Sequence, residues 1–198
     1  MEMETVSGFE RVGGDPGLDF HNTVSWGRDA LSQERFRTDG DVRAWARGSG
    51  LGSAGGPGSA GPRVLADARA LRGVLHRLLI PLAGGRRPRS RDVAAFEGFL
   101  RRAGAAVRLE RAADGFRWAF GAAGGLDPVL AGVVWSTARL LTSPDLARLR
   151  ACANPDCGWV FLDRSRRGNR RWCEMRACGN RAKARQYYRR HRKVRSPR

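Results

Sequence analysis

All four cysteines of this chain fall near its C-terminal end, at Cys152, Cys157, Cys173 and Cys178, with the spacing C-x4-C-x15-C-x4-C. Two close pairs separated by a medium loop are how a chain offers four thiolates to one tetrahedral cation. Four thiolates leave no coordination position for a water nucleophile, so the expected cofactor is one structural Zn2+ rather than a hydrolytic centre. On spacing alone, an iron–sulfur cluster or paired redox thiols are the alternatives. A unit of about 48 residues buries little core, and the metal would supply most of its folding free energy.

The segment between the pairs, GWVFLDRSRRGNRRW, predicts a hairpin: Val160 and Leu162 alternate with Trp159 and Phe161, Gly168 and Asn169 offer a turn, and residues 170–172 return as the second strand. Residues 180–193 contain neither Gly nor Pro and read as a helix, with Cys178 at or just before its N-terminus, where the helix dipole favours a thiolate. Ligand pair, hairpin and helix together predict a treble-clef-like finger.

Charge is concentrated in the same region. The formal net charge is +18, and residues 151–198 carry fifteen Lys/Arg against Asp156, Asp163 and Glu174, a net of +12. A block of that density attracts polyanions, with nucleic acid the first candidate and an anionic membrane surface the weaker one. Arg171, Arg176 and Arg181 would partly balance the formal −2 of a zinc tetrathiolate. Balance at the metal needs only the first helical turn, yet the cations continue to Arg198. At about 100° per residue, Arg181, Arg185, Arg189 and Arg192 form a stripe beside Ala184, Tyr187, Tyr188 and His191. Such a stripe suits phosphates or a major groove, with Lys183 and Arg190 on the same helix and Arg170 and Arg171 adding backbone contacts. DNA is the expected partner, and structured RNA is the alternative.

Residues 15–150 read as mostly helical. Asp39 or Asp41 caps a short helix through VRAWAR, and GSAGGPGSAG follows as a loop. Pro62 opens a helix with Leu65, Ala68, Leu71, Leu75 and Leu78 on one face, ended by Pro81 and the glycine pair at 84–85. Ser90 caps the next, with Val93, Phe96, Phe99, Leu100 and Ala103 as its stripe and Gly104 as its stop. AAVRLE and FRWAF alternate as a β-hairpin, Asp127-Pro128 starts another helix, and Ser143-Pro144 a short one. The expected fold is mainly α with a small β-hairpin: a helical domain over residues 1–149 and the zinc finger over 150–198. The chain's start is acidic, with neither a basic nor an apolar leader region, and no apolar run has the roughly 18 residues of a membrane span, so a cytoplasmic, nucleoid-associated protein is expected. His21, His76 and His191 are scattered, no catalytic constellation is legible, and the expectation is a non-enzyme.

CGWVFLDRSRRGNRRWCEMRACGNRAKARQYYRRHR closely resembles the CGNR zinc finger, whose naming tetrapeptide here is Cys178, Gly179, Asn180 and Arg181. All four cysteine positions and the RRWC segment at 170–173 are present. LDFHNTV at 18–24 resembles the LDFxNT opening of the ABATE domain that usually precedes this finger, and ALR at 70–72 and LLTSPDLARLRAC at 140–152 fit its pattern. Residues 25–125 match only by element order and scattered positions, and His21 stands where the family has an aliphatic residue. The resemblance implies a bacterial stress-related transcription regulator with a helical sensory or assembly domain and a zinc-dependent DNA-binding end. Asp19 and Asn22 then admit two readings: they hold a small-molecule effector, or they make caps and buried hydrogen bonds with Arg72 as an ionic partner. In the alternative overall reading, the helical domain binds a small molecule or carries an activity and the finger is an assembly module.

Overall fold

The computed structural model describes residues 5–6, 8–27, 34–51, 63–121 and 123–194. The GSAGGPGSAG loop, Pro62 and the chain end beyond residue 194 lie outside the described residues, as does the side chain of Arg192.

Two short strands, β1 (Thr5–Val6) and β2 (Phe9–Glu10), pair antiparallel and lead into α1 (Pro16–His21). The Asp15 carboxylate caps α1 by accepting from the Gly17 and Leu18 amides, and Pro16 sits where no amide donor is needed. The second helix, α2 (Asp39–Gly48), is capped by Thr38 rather than by an aspartate. Thr38 accepts from Asp41 N while the Asp41 carboxylate accepts from Thr38 N, a reciprocal box that uses Asp41 as its third residue.

The next helix, α3 (Val64–Ala83), buries Ala68, Leu71, Leu75 and Leu78 as their spacing predicts. It passes through Pro81, because a proline in the last turn forfeits only one carbonyl partner, and it ends where Gly85, at φ +69°, turns the chain. In α4 (Ser90–Ala106), Ser90 is the first helical residue and makes no side-chain cap, and Val93 is 40% exposed. Gly104 does not stop α4. Buried Ala103 and Ala106 carry the helix past it, directly into β3 (Val107–Ala112). That strand pairs with β4 (Gly115–Phe120) in the expected hairpin, register Leu109 opposite Trp118. Asp127 caps α5 (Pro128–Leu141), which buries Leu130, Val133, Val134 and Thr137, and a short 3-10 segment (Pro144–Arg148) follows.

The expected hairpin within the finger is replaced by a different pairing. The strand β6 (Val160–Leu162) pairs antiparallel with β5 (Leu149–Ala151), which precedes the first cysteine, and residues 170–172 form no strand. Burial explains this choice. Side chains alternate along β6, so Val160 and Leu162 enter the helical core together with Leu149, while Phe161 enters the cysteine cluster with Val12. This three-residue strand is shared by two cores, and the helical part and the finger are therefore packed as neighbours.

Candidate metal centre and basic helix

The four cysteines are buried, and their sulfurs all lie within 4.8 Å of one another. Cys157 and Cys173 sulfurs are 3.6 Å apart, Cys173 and Cys178 sulfurs 3.7 Å. Zn–S bonds of about 2.3 Å in a tetrahedron require sulfur separations of about 3.8 Å, so the cluster fits one zinc ion. Proton competition among the thiols points the same way. Hydrogen bonds from Cys152, Cys157, Cys173 and Asn154 hold Cys178 well below the ordinary thiol range, whereas crowding by the other three sulfurs pushes Cys173 far above it. A divalent cation resolves that conflict by taking all four as thiolates.

The first ligand pair sits on a tight knuckle. Cys152 N donates to Trp159 O at 2.8 Å, and Cys157 N to Asn154 O at 3.0 Å. Gly158, at φ +69°, closes it. A Cβ there would stand 2.5 Å from that of Trp26, so both its dihedral and its neighbour call for glycine. Of the second pair, Cys173 precedes a turn (Met175–Gly179) that runs straight into α6 (Asn180–Val194), and Cys178 lies in that turn, two residues before the helix. Glu174 caps that turn through its carboxylate and its carbonyl.

Asn154, between the first two ligands, touches the other half of the site. Its Nδ2 donates to Cys178 Sγ at 3.4 Å and its Oδ1 accepts from Arg185 at 2.5 Å. Arg185 also pairs with Asp156 at 2.9 Å. Asp163, buried, accepts from the Ser165 and Arg170 amides and shapes the loop between the cysteine pairs. Nothing in the sequence marks Asn154 or Asp163 apart from their places beside the ligands and the Gly168 turn.

These contacts sort the cations expected to meet nucleic acid. Arg170 turns inward: its guanidinium lies 4.2 Å from the Phe161 ring centroid and donates to the carbonyls of Trp172, Cys173 and Val12. Arg185 is held by the knuckle. Arg171 stacks over Trp172 at 5.4 Å. Arg181, Lys183, Arg189 and Arg190 are exposed. The anticipated stripe is thus centred on an arginine that faces the finger's own body. At about 100° per residue, Lys183, Tyr187 and Arg190 fall opposite Arg185, on the outward face. Tyr187 and Tyr188 are 60% and 70% exposed, and Tyr187 packs against the His191 ring at 4.1 Å.

The polar residues of LDFHNTV do not converge on a ligand. Asp19 accepts from Gly13 N at 2.8 Å, and burial raises its carboxyl to about 6. The expected Asp19–Arg72 pairing is absent. Arg72 is buried on Glu34 and donates to Thr23 Oγ1 at 2.8 Å. Asn22 instead holds the finger. Its Oδ1 accepts from Val160 N at 3.0 Å and its Nδ2 donates to Val160 O at 2.9 Å, so a side-chain amide substitutes for a neighbouring strand. Because Asn22 Oδ1 is an acceptor, His21 Nδ1, 3.0 Å away, is the donor. His21 Nε2 must then accept, and His76 Nδ1, at 3.1 Å, donates to it. Burial keeps both rings neutral, with values lowered to about 3 and about 4. Trp26 stacks on His76 at 3.8 Å and its amide donates to Cys157 O, and Trp159 Nε1 donates to Val24 O. The histidine that departs from the family pattern is therefore part of the seat on which the finger rests.

Two family models match the chain. Residues 148–191 match the CGNR zinc finger, and residues 14–144 match ABATE, described as "Putative stress-induced transcription regulator". A search of curated proteins finds no match. Among the described residues, no helix is long and apolar enough to cross a membrane.

Proposed function

The chain belongs to the ABATE family and ends in a CGNR zinc finger, and from that premise we propose that it is a DNA-binding transcription regulator whose outward α6 face meets the duplex. The observation that carries this reading is the pairing of Lys183, Tyr187 and Arg190, all exposed, on a helix whose opposite side is fixed to a four-cysteine site. Cations neutralise phosphates, and a helix held at its base presents them at a set angle. The zinc ion would be bound by Cys152, Cys157, Cys173 and Cys178 and would supply structural stability; the chain's residues do the contacting. No enzymatic step is assigned, and a role at the nucleoid follows from the partner.

Solvent-facing tyrosines also suit bases that are not paired, which favours RNA or single strands as the second reading. The test is fluorescence anisotropy of the zinc-loaded chain with random duplex DNA, single-stranded DNA and hairpin RNA, between about 50 and 200 mM salt. DNA binding predicts the tightest complex on duplex, with affinity falling steeply as salt rises. Salt-insensitive binding, or none, removes the proposal, and tighter binding to RNA transfers it.

A further inference from the structure

A cleft of about 480 Å³ opens between the β3–β4 hairpin, the exposed face of α5, the start of α1 and the end of β6, and Asp19, Asn22 and Arg72 are not in its lining. Its size is that of a small-molecule site. The face of α5 that lines it repeats at helical spacing through Gly132, Trp135, Ser136 and Arg139, while the opposite face is in the core. Trp118, Phe120 and Trp135 make an aromatic wall, with ring centroids 5.4 Å apart for Trp118 and Trp135 and 6.5 Å for Phe120 and Trp135. Trp118 is 48% exposed although its direct cross-strand neighbour, Leu109, is apolar. A large aromatic surface is thus left facing the opening.

The charged lining decides what would bind. Asp15 is spent, since one oxygen caps α1 and the other accepts from Ser136 Oγ at 2.8 Å. Asp145 is shared between Arg148 at 3.6 Å and Arg164 at 3.5 Å. The Arg139 guanidinium has no ion pair or hydrogen-bond partner among the described residues. One helical turn before it, the Trp135 indole N–H is buried without a partner. Residues four apart on a helix are neighbours on its surface. An unpaired cation therefore stands beside aromatic rings; of the two carboxylates in the lining, Asp145 is balanced by two arginines, and Asp15 keeps its charge but is directed to the α1 amides and Ser136.

We propose that this cleft binds a small aromatic carboxylate, its ring against Trp118, Phe120 and Trp135 and its carboxylate on Arg139. Leu162, the last residue of β6, and Arg164 just after it form part of the same lining, so an occupant would touch both parts of the chain.

The probe is 2-naphthoate, with neutral 2-naphthamide as its control, titrated calorimetrically into the full, zinc-loaded chain at about 150 mM salt, where exposed charges are screened beyond about 8 Å. Naphthoate is expected to bind at one site per chain, and naphthamide at least tenfold more weakly. R139Q, an exposed position, and W118A, which removes the exposed part of the aromatic wall, should both weaken naphthoate, R139Q down to the level of the amide. The double variant K183Q/R190Q, on α6, should leave it unchanged. Absence of saturable naphthoate binding, equal affinity in wild type and in either cleft variant, or loss only in K183Q/R190Q overturns the assignment. No nucleic acid enters the titration, so its failure is separate from failure of the DNA-binding reading.

Discussion

Asn22 shows how much one side chain decides. Its amide satisfies both the N–H and the C=O of Val160 inside a buried junction. Replacing it with alanine strands two backbone groups and the His21 Nδ1 donor. Asn22→Ala should cost about 2–4 kcal/mol in chemical denaturation, the penalty of leaving buried polar groups unpaired. Asp19 predicts a pH effect of definite sign. Its folded value, raised to about 6 by burial, lies above the ordinary 3.8, so the fold takes up a proton between those values and loses stability as pH rises through the window. Asp19→Asn keeps an acceptor for Gly13 N without the buried charge. It should melt above the wild type at pH 7.5, by the equivalent of about 1–3 kcal/mol, and the gap should close on acidification towards pH 4.

At the scale of elements, β6 and α6 each serve two masters. Val160 and Leu162 belong to one core and Phe161 to the other, which is why β6 pairs with β5 and leaves residues 170–172 out of any strand. In α6 the division runs around the helix. Arg185 braces Asn154 and Asp156, whereas Lys183 and Arg190 face outward. Lys183→Ala and Arg190→Ala should each lower the slope of log affinity against log salt by about 0.9, the signature of one lost phosphate contact. Arg185→Ala should instead speed zinc loss to a competing chelator, because Asn154 Oδ1 then keeps only the Asp156 amide and the brace from α6 to the knuckle is gone. Periodicity along α6 was legible from its residues, including the stripe, but a periodic pattern does not say which side meets the body. Asn154 and Asp156, on a loop over twenty residues earlier, made that choice.

Among the described residues the two cores are packed against each other, since the seat formed by residues 12–27 and the strand β6 join the helical core to the cysteine cluster. Removing zinc should therefore be felt throughout. With a strong chelator, or in Cys173→Ser, far-UV circular dichroism and tryptophan fluorescence should report coincident melting shifted down by roughly 10 °C or more, a loss of several kcal/mol for a chain of this size. A helical transition left at its original temperature would refute the coupling. What the residues alone determined was part of what local spacing sets: four thiolates for one metal, the β3–β4 hairpin, the helical periods, and a basic C-terminal helix, whereas the finger hairpin, the Ser90 cap and the Gly104 stop expected on the same grounds did not form. The features that formed depend on neighbours a few positions apart, or on a count of identical ligands. Only the tertiary structure decided that Arg72 pairs with Glu34, that Asn22 and His21 seat the finger, that Arg170 and Arg185 turn inward, and that Trp135 and Arg139 share a cleft. Each of those outcomes is a competition among many polar groups for one buried partner, and which group wins depends on how distant segments meet.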